Sequence, residues 1–197
     1  MTSRRKTLRD PAYFETRYAA SPDPWRVASS DYEASKYAAT LAALPAGRYA
    51  SALDVGCAIG VFTRELAARC DHLVGIDASP TAVQAAVARC RDLAHVTLAV
   101  MQVPQQWPEG TFDLIVLSEI LYYLSDDDLA ALAQRVDASL APGGTLQLVH
   151  WTGSDTGDSA GDIAVAVFEA ALGAAVREVH RGRTADYRLD VLERTAP

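Results

Sequence analysis

The sequence reads LDVGCAIG from Leu53 to Gly60 and VGID from Val74 to Asp77. The first stretch is typical of a buried strand that ends in a glycine turn and leads into a helix. The second is typical of a further strand, and it ends in an acid. A glycine turn lets the backbone approach a ligand closely, and an acid at the next strand's end can bind both hydroxyls of a ribose. Together the two stretches predict a site for a nucleotide-type cofactor.

The glycine spacing separates the possible cofactors. A dinucleotide fingerprint needs glycines at 56, 58 and 61, whereas this chain has Gly56, Ala58 and Val61. The pattern present is Asp-x-Gly-x-Ala-x-Gly, from Asp54 to Gly60. It resembles the first motif of class I S-adenosylmethionine-dependent methyltransferases, whose middle position is usually glycine. We expect Ala58 to be tolerated if the backbone there does not need a positive φ.

Length, composition and charge limit the kinds of protein that this chain can be. The chain has 197 residues, of which 50% are hydrophobic and 22% charged, with a net charge of -7. This length predicts one domain, and the acidic balance disfavours a nucleic-acid partner. No apolar run follows Arg4-Arg5-Lys6 and no stretch has the length of a membrane span, so we expect neither a signal peptide nor a membrane segment. The three cysteines form no Cys-x-x-Cys pair, which favours a cytoplasmic protein without a metal or disulfide.

Strands and helices alternate along the chain, which predicts an α/β fold with a doubly wound, mostly parallel sheet. Strands are expected near 50–55, 72–77, 95–100, 112–118 and 145–151, and helices near 11–19, 31–44, 60–70, 79–91, 126–140 and 159–172. The turn Pro142-Gly143-Gly144 is expected to stop a helix before the fifth strand. The end of the chain predicts an antiparallel hairpin over 176–179 and 187–192, with a turn around Gly182.

A parallel sheet that closes with an antiparallel hairpin resembles the seven-stranded sheet of class I methyltransferases. The resemblance runs from about residue 50 to the end of the chain. It implies one Rossmann-like methyltransferase domain over residues 1–197. Within it, residues 1–45 form an N-terminal helical cap, 46–151 the cofactor-binding core, and 152–197 the acceptor loop, a helix and the closing hairpin.

Further stretches narrow the resemblance. Asp23-Pro24-Trp25, Tyr32-Glu33 and Lys36-Tyr37 resemble the cap of the nodulation-protein-S-like (NodS) methyltransferases, as do Ser118 to Leu124 and Val149-His150-Trp151. The best-known members of that family N-methylate the free amine of a deacetylated chitin-oligosaccharide terminus. The resemblance implies S-adenosyl-L-methionine as cofactor, S-adenosyl-L-homocysteine as its product, and a small-molecule acceptor such as a sugar amine.

The resemblance also implies a set of cofactor contacts. Asp54 lies near the ammonium of the cofactor's amino-acid tail or holds the loop, and Gln102 contacts the adenine. Trp25 either lines the site as a lid or only pins the N-terminal segment. Lys36 either holds the cofactor carboxylate or lies on an exposed helix face. The full set comprises Trp25, Tyr32, Lys36, Asp54, Gly56, Cys57, Ala58, Gly60, Phe62, Asp77, Ala78, Gln102, Val103 and Glu119.

Three side chains are candidates for catalysis. Glu119 follows the fourth strand and His150 lies at the end of the fifth, and ligands of open sheets gather at these carboxyl ends. An amine attacks only as the neutral base, so a carboxylate or an imidazole there could take its proton. Tyr122 could help through its hydroxyl or its ring face. For Glu119 the structural alternatives are a helix cap near Ser125 or a solvated side chain. For His150 the alternative is a core position, and for one of Tyr122 and Tyr123 it is packing.

Other functions stay open at this point. An O-methyltransferase acting on a sugar or secondary-metabolite hydroxyl would use the same cofactor residues, with His150 as base. A catalytically silent cofactor-binding or partner protein could be built on the same sheet, although the intact Asp54, Gly56, Gly60 and Asp77 argue against it. Residues 152–162 are either a loop over the acceptor, with Asp155 and Asp158 as contacts, or a polar connection. We expect a monomer or a weak homodimer, without a metal.

Overall fold

The structure, a computed structural model, describes residues 11–153 and 160–195. The described residues fall into two compact units, one ending at Gln102 and one beginning at Val103. Single-domain organisation therefore stays a prediction. Among the described helices, none has the length and apolar character needed to cross a membrane.

The first unit contains three parallel strands and four helices. Strand β1 is buried along its whole length and pairs with β2, with Leu53 opposite Val74, and β2 pairs with β3. Helix α4 begins where Ser79 accepts a hydrogen bond from the Ala82 N–H at 3.1 Å, and Pro80 occupies its first turn. The elements are α1 (Pro11–Ala20), α2 (Asp31–Ala43), β1 (Ala52–Val55), α3 (Val61–Leu66), β2 (Leu73–Asp77), α4 (Pro80–Cys90) and β3 (Val96–Val100).

The second unit contains a parallel strand pair and an antiparallel hairpin. Strand β4 pairs parallel with β5, and β5 pairs antiparallel with β7, which pairs with β6. Ser125 caps α5 by accepting from the Asp128 N–H at 3.1 Å, so the acids at 126–128 form the helix's first turn. The elements are β4 (Phe112–Ser118), α5 (Asp126–Ser139), β5 (Leu140–Trp151), α6 (Ala160–Leu172), β6 (Val176–Arg183) and β7 (Tyr187–Arg194).

The strand order of the sheet is β3-β2-β1-β4-β5-β7-β6. This order confirms the predicted seven-stranded, mostly parallel sheet with a closing antiparallel hairpin. The side chains of Leu114 to Leu117 in β4 have no exposed surface. A strand covered on both faces is read in sequence as a continuous apolar run, which is why β4 could be predicted.

Two turns differ from the predictions. Strand β5 begins at Leu140, directly after α5, and its pairing with β4 shifts register between Phe112 and Leu114, so the Pro-Gly-Gly turn lies inside the strand as an irregularity. The hairpin turn is not around Gly182, which pairs with Leu189 in the ladder. It lies after β6, where the Thr184 N–H donates to the Tyr187 carbonyl at 2.9 Å.

A charged network joins α6 to the closing hairpin. Asp190 has no exposed surface and accepts from the Arg188 Nε at 2.7 Å. Arg188 also contacts Asp162 in the first turn of α6, at 3.2 Å. A buried carboxylate needs such a partner, because an unpaired charge in the core is strongly destabilising.

Candidate functional site

The glycine turn after β1 has three residues with positive φ. Gly56, Ala58 and Gly60 have φ values of +83°, +49° and +76°. The condition under which we expected Ala58 to be tolerated is therefore not met, because the backbone at this position does adopt a positive φ. An alanine there is strained by its Cβ, whereas glycine is not.

Gly60 has a further steric role at the start of α3. A Cβ atom on this residue would lie 2.9 Å from the Cβ of Ala86 in α4. The two helices could not keep this close approach with any larger side chain. The last glycine of the motif is thus fixed by helix packing as well as by its φ angle.

Asp54 lies at the buried base of the turn. The Thr63 hydroxyl in α3 donates to its Oδ2 at 2.6 Å. Burial raises the pKa of the Asp54 carboxyl to about 6, although the Thr63 hydrogen bond acts in the opposite direction. Two roles were expected for Asp54, binding the cofactor's ammonium or holding the loop. The contact with Thr63 matches the second role, because it holds the loop against α3.

Asp77, at the end of β2, links the turn to the next helix. Its Oδ2 accepts from the Ala58 N–H at 3.0 Å and its Oδ1 accepts from the Ser79 N–H at 2.9 Å. Burial raises the pKa of Asp77, while these backbone hydrogen bonds lower it. Each carboxylate oxygen can accept a second hydrogen bond, so this half-buried group retains capacity for ribose hydroxyls. The chemistry of the acid fits the predicted cofactor.

The predicted residues of the N-terminal cap fall into two groups. Trp25 packs on the rings of Tyr18 and Phe14, with a centroid distance of 5.2 Å to Tyr18. It also packs against the buried cluster that contains Ile59 of the glycine turn. Trp25 therefore pins the segment before α2 to the turn, and this contact leaves the lid hypothesis open.

Lys36 is the centre of the second group. Only 3% of it is exposed, so the exposed-face alternative is wrong. Its Nζ lies 3.0 Å from a Glu33 carboxylate oxygen and 5.2 Å from the centroid of the Tyr32 ring. The predicted Phe62, in α3, is buried and packs against Tyr37. A buried ammonium remains a candidate for binding an anionic group.

The remaining predicted residues of this half are at the strand ends. Ala78 and Gln102 are half-buried, and Cys57 is buried, with a pKa that burial raises well above its ordinary value. Val103 is half-buried and is the first residue of the second unit. The adenine contacts expected of Gln102 and Val103 stay predictions.

Glu119 lies just after β4, and both its backbone and its side chain are constrained. It has a φ of +57°, which a residue with a long side chain seldom adopts. Its N–H donates to the Val149 carbonyl at 2.8 Å. Its Oε2 accepts from the Tyr122 hydroxyl at 2.7 Å and from the Trp151 N–H at 2.9 Å. The carboxylate is thus fixed between the ends of β4 and β5, and Ser125 caps α5 in its place.

Tyr122 and His150 lie beside Glu119. Burial and the nearby Glu119 carboxylate raise the pKa of Tyr122 well above its ordinary value, so its hydroxyl remains a donor. The rings of Tyr122 and His150 are 5.9 Å apart. His150 has no exposed surface, and its Nε2 accepts from the Leu121 N–H at 3.2 Å. This nitrogen's lone pair is therefore engaged with the backbone, as expected of a neutral core histidine.

The chain matches the family model for nodulation protein S (NodS) over residues 13–179. It belongs to the nodulation protein S family. It is 40% identical to nodulation protein S of Rhizobium tropici over 132 residues, which are 66% of this chain and 56% of that protein. With nodulation protein S of Sinorhizobium fredii the identity is 38% over 132 residues, 65% of this chain and 60% of that protein. The match thus spans less than two thirds of these curated relatives.

The fold of this NodS-family chain matches a solved structure over nearly its full length. That structure is the N-methyltransferase NodS from Bradyrhizobium japonicum WM9 in complex with S-adenosyl-L-homocysteine. The TM-score is 0.81 and the identity 29%, with 94% of this chain and 99% of that chain covered. The predicted family and the predicted Rossmann-like methyltransferase fold are confirmed.

One contact of the candidate site, made by Glu15, was not predicted from the sequence. Glu15 in α1 accepts from the Ser79 hydroxyl at 2.6 Å and from both the N–H and the hydroxyl of Thr81. Because Ser79 also donates to Asp77, Glu15 ties α1 to the strand end that carries the acid. The two partners are 64 residues apart along the chain, and no local pattern marks such a pair.

Two predicted features receive no structural test. Residues 154–159, with Asp155 and Asp158, lie outside the described residues, as does Arg4-Arg5-Lys6. Among the residues that the structure does describe, no group of three or more His, Cys, Asp or Glu side chains is placed to hold a metal.

Proposed function

We propose that this chain is an S-adenosylmethionine-dependent methyltransferase that N-methylates a small amine, with an amino sugar as acceptor. The observation that carries the proposal is the geometry of Glu119. A carboxylate held in a strained backbone conformation by two hydrogen bonds is typical of a functional position, since strain persists only where the surroundings enforce it. Membership of the NodS family supports the same reaction class.

The first unit supplies residues suited to the cofactor. Asp77 would bind the ribose hydroxyls, and its hydrogen bonds to Ala58 and Ser79 keep the glycine turn in place. Lys36 would bind the carboxylate of the amino-acid tail. When bound, S-adenosylmethionine supplies a methyl group on a sulfonium, an already activated leaving group, so the protein mainly has to bind and orient.

The second unit supplies residues suited to an amine. An amine arrives largely as an ammonium, which a carboxylate attracts, and it must lose a proton before its lone pair can attack. Glu119 would bind the ammonium and take that proton. Tyr122 donates to Glu119 Oε2 and keeps the carboxylate oriented. Both roles belong to residues that the sequence predicts as catalytic.

The surroundings of His150 support N-methylation over O-methylation. A hydroxyl acceptor is a much weaker acid than an ammonium and needs a strong base with an available lone pair. The Nε2 lone pair of His150 accepts the Leu121 N–H, so this nitrogen serves to hold the turn after β4. A carboxylate suffices for an amine, and Glu119 is that group.

The direct test combines cofactor binding with acceptor choice. Calorimetric titration is expected to show micromolar binding of S-adenosylmethionine and S-adenosylhomocysteine and none of NAD. Methylation is then measured with D-glucosamine and with N-acetyl-D-glucosamine, which has the same hydroxyls but no free amine. Methylation of D-glucosamine alone supports the proposal, methylation of both indicates O-transfer, and binding without methylation of any amine or hydroxyl supports the silent protein.

The variant Glu119→Gln tests the proton acceptor. The amide oxygen can still accept from Tyr122 and Trp151, but the group no longer takes a proton. We expect kcat to fall about 10²- to 10⁴-fold while the Kd for S-adenosylhomocysteine changes little. Glu109→Gln is the matched control, because Glu109 is exposed before the opposite end of β4. A loss of cofactor binding in Glu119→Gln would instead assign Glu119 to the cofactor.

A further inference from the structure

Trp151 is an exposed aromatic residue at the carboxyl end of β5. Its exposed fraction is 45%, which makes it one of the few large hydrophobic side chains exposed in the described part of the chain. Its backbone N–H donates to Glu119 Oε2 at 2.9 Å. The indole therefore belongs to the same residue that fixes the carboxylate proposed to receive the amine.

Two glycines make room for Trp151. A Cβ on Gly153 would lie 2.2 Å from Cζ2 of the indole, and a Cβ on Gly161 in α6 would lie 2.3 Å from the Trp151 carbonyl oxygen. The indole thus lies against the backbone at Gly153, while α6 packs closely on the backbone carbonyl of Trp151. Almost half of the residue's surface is nevertheless exposed.

The neighbouring strand extends this aromatic surface. Tyr187 of β7 is directly opposite Trp151 in the antiparallel ladder, so the two side chains emerge on the same face of the sheet. His150 and Arg188, the next pair, emerge on the opposite face. The face that carries Trp151 therefore ends in two aromatic residues, and the backbone N–H of one of them donates to the Glu119 carboxylate.

We propose that Trp151 is a specificity-determining residue that stacks on the saturated ring of the acceptor and so selects cyclic amines over linear ones. This inference rests on the proposed N-methyltransferase function. The C–H face of a pyranose is flat and apolar and can cover an exposed indole, whereas a short linear amine covers little of it. The polar substituents of a stacked ring lie at its rim, and the backbone N–H of Trp151 is 2.9 Å from Glu119 Oε2. The acceptor class that matches both groups is an amino sugar.

The test compares a cyclic with a linear amine in Trp151→Ala and Trp151→Phe. We expect Trp151→Ala to raise KM for D-glucosamine roughly tenfold and to leave KM for ethanolamine and the Kd for S-adenosylhomocysteine within about twofold. Trp151→Phe keeps a ring and should recover most of the loss. Equal losses for both amines would indicate cation–π binding of the ammonium and overturn the proposal, as would unchanged kinetics with D-glucosamine.

Intrinsic fluorescence provides a readout that needs no turnover. Titration with a chitosan tetramer should change the tryptophan emission of the wild type and of Trp107→Phe, but not that of Trp151→Phe. Trp107 is the matched control, since its ring N–H donates a hydrogen bond to the Ser139 hydroxyl in α5 at 3.0 Å. If the wild type methylates no amine but this Trp151-dependent change persists, the proposed function fails and ring stacking on Trp151 is supported. If methylation occurs without the Trp151 dependence in either assay, the stacking proposal fails and the proposed function is supported.

Discussion

At the scale of single residues, two of the three described non-glycine residues with positive φ lie in the candidate site, and the third is Arg26. Ala58 and Glu119 have φ values of +49° and +57°, and both follow the carboxyl end of a parallel strand. Each such conformation costs on the order of 1–3 kcal/mol and requires support from its surroundings. For Ala58 that support is the hydrogen bond to Asp77, and for Glu119 it is the bonds from Tyr122 and Trp151.

The strain at Ala58 leads to a prediction on stability. Ala58→Gly should raise the free energy of unfolding by up to about 1 kcal/mol, because glycine adopts a positive φ without a Cβ penalty. Urea denaturation monitored by circular dichroism measures this change. Ala85→Gly, on the exposed face of α4, is the control and should lower the same quantity by about 1 kcal/mol. Similar losses in both variants would show that Ala58 is unstrained.

Asp77 leads to a prediction on binding. Asp77→Ala removes charge-assisted hydrogen bonds to the ribose and should weaken S-adenosylhomocysteine binding by about 1.5–3 kcal/mol. Calorimetric titration gives the two dissociation constants. Asp71→Ala serves as control, since Asp71 is exposed before the opposite end of β2 and pairs with Arg48. An unchanged affinity in Asp77→Ala would remove this acid from the site.

At the scale of elements, Glu15 connects helix α1 to the start of α4. Hydrogen bonds hold the pKa of Glu15 below its ordinary value of 4.5. The largest effect comes from the Ser79 hydroxyl, and the next from Thr81. A depressed pKa in the fold means that ionised Glu15 stabilises the protein. This contribution is fully present above pH 4.5 and is lost as the pH falls through the lower folded-state pKa.

This linkage predicts a pH-dependent effect of Glu15→Gln. The wild type should have the higher melting temperature at pH 7, and the difference between the two proteins should shrink as the pH is lowered below 4.5. The pKa values of Asp54 and Asp77 shift in the opposite direction, chiefly because of burial, which is the same in both proteins. Glu65→Gln, on the exposed face of α3, should show no such difference. A gap between wild type and Glu15→Gln that stays constant down to pH 3.5 would contradict the linkage.

At the scale of the whole molecule, ligand binding and folding are linked. A ligand that binds only the folded state, present at about 100 times its Kd, stabilises it by about 2.7 kcal/mol. For a chain of this size that is a rise in melting temperature of roughly 5–10 °C. Thermal unfolding with S-adenosylhomocysteine should show the rise, whereas NAD at the same concentration should not. An equal shift with NAD would reverse the conclusion drawn from the glycine spacing.

The sequence by itself determined the order of strands and helices, the glycine turn and the acid at the end of β2. These features are local, because burial on both faces, a cap or a tight turn each require particular residues within a few positions. The family resemblance followed from the same short stretches. Gly182 shows the limit of local reasoning, since a glycine within a strand and a glycine in a turn look alike in sequence, and the ladder partner Leu189 decides between them.

Only the tertiary structure decided which side chains meet. Lys36 has a charged side chain on a helix, yet packing buries it beside Glu33. The φ of Ala58 is set by the Asp77 hydrogen bond across 19 residues, and Glu15 reaches Ser79 across 64. Trp151 is exposed although it ends a strand that is mostly buried, and its backbone N–H donates to Glu119, 32 residues away. Such contacts depend on distances between elements, which local sequence patterns do not contain.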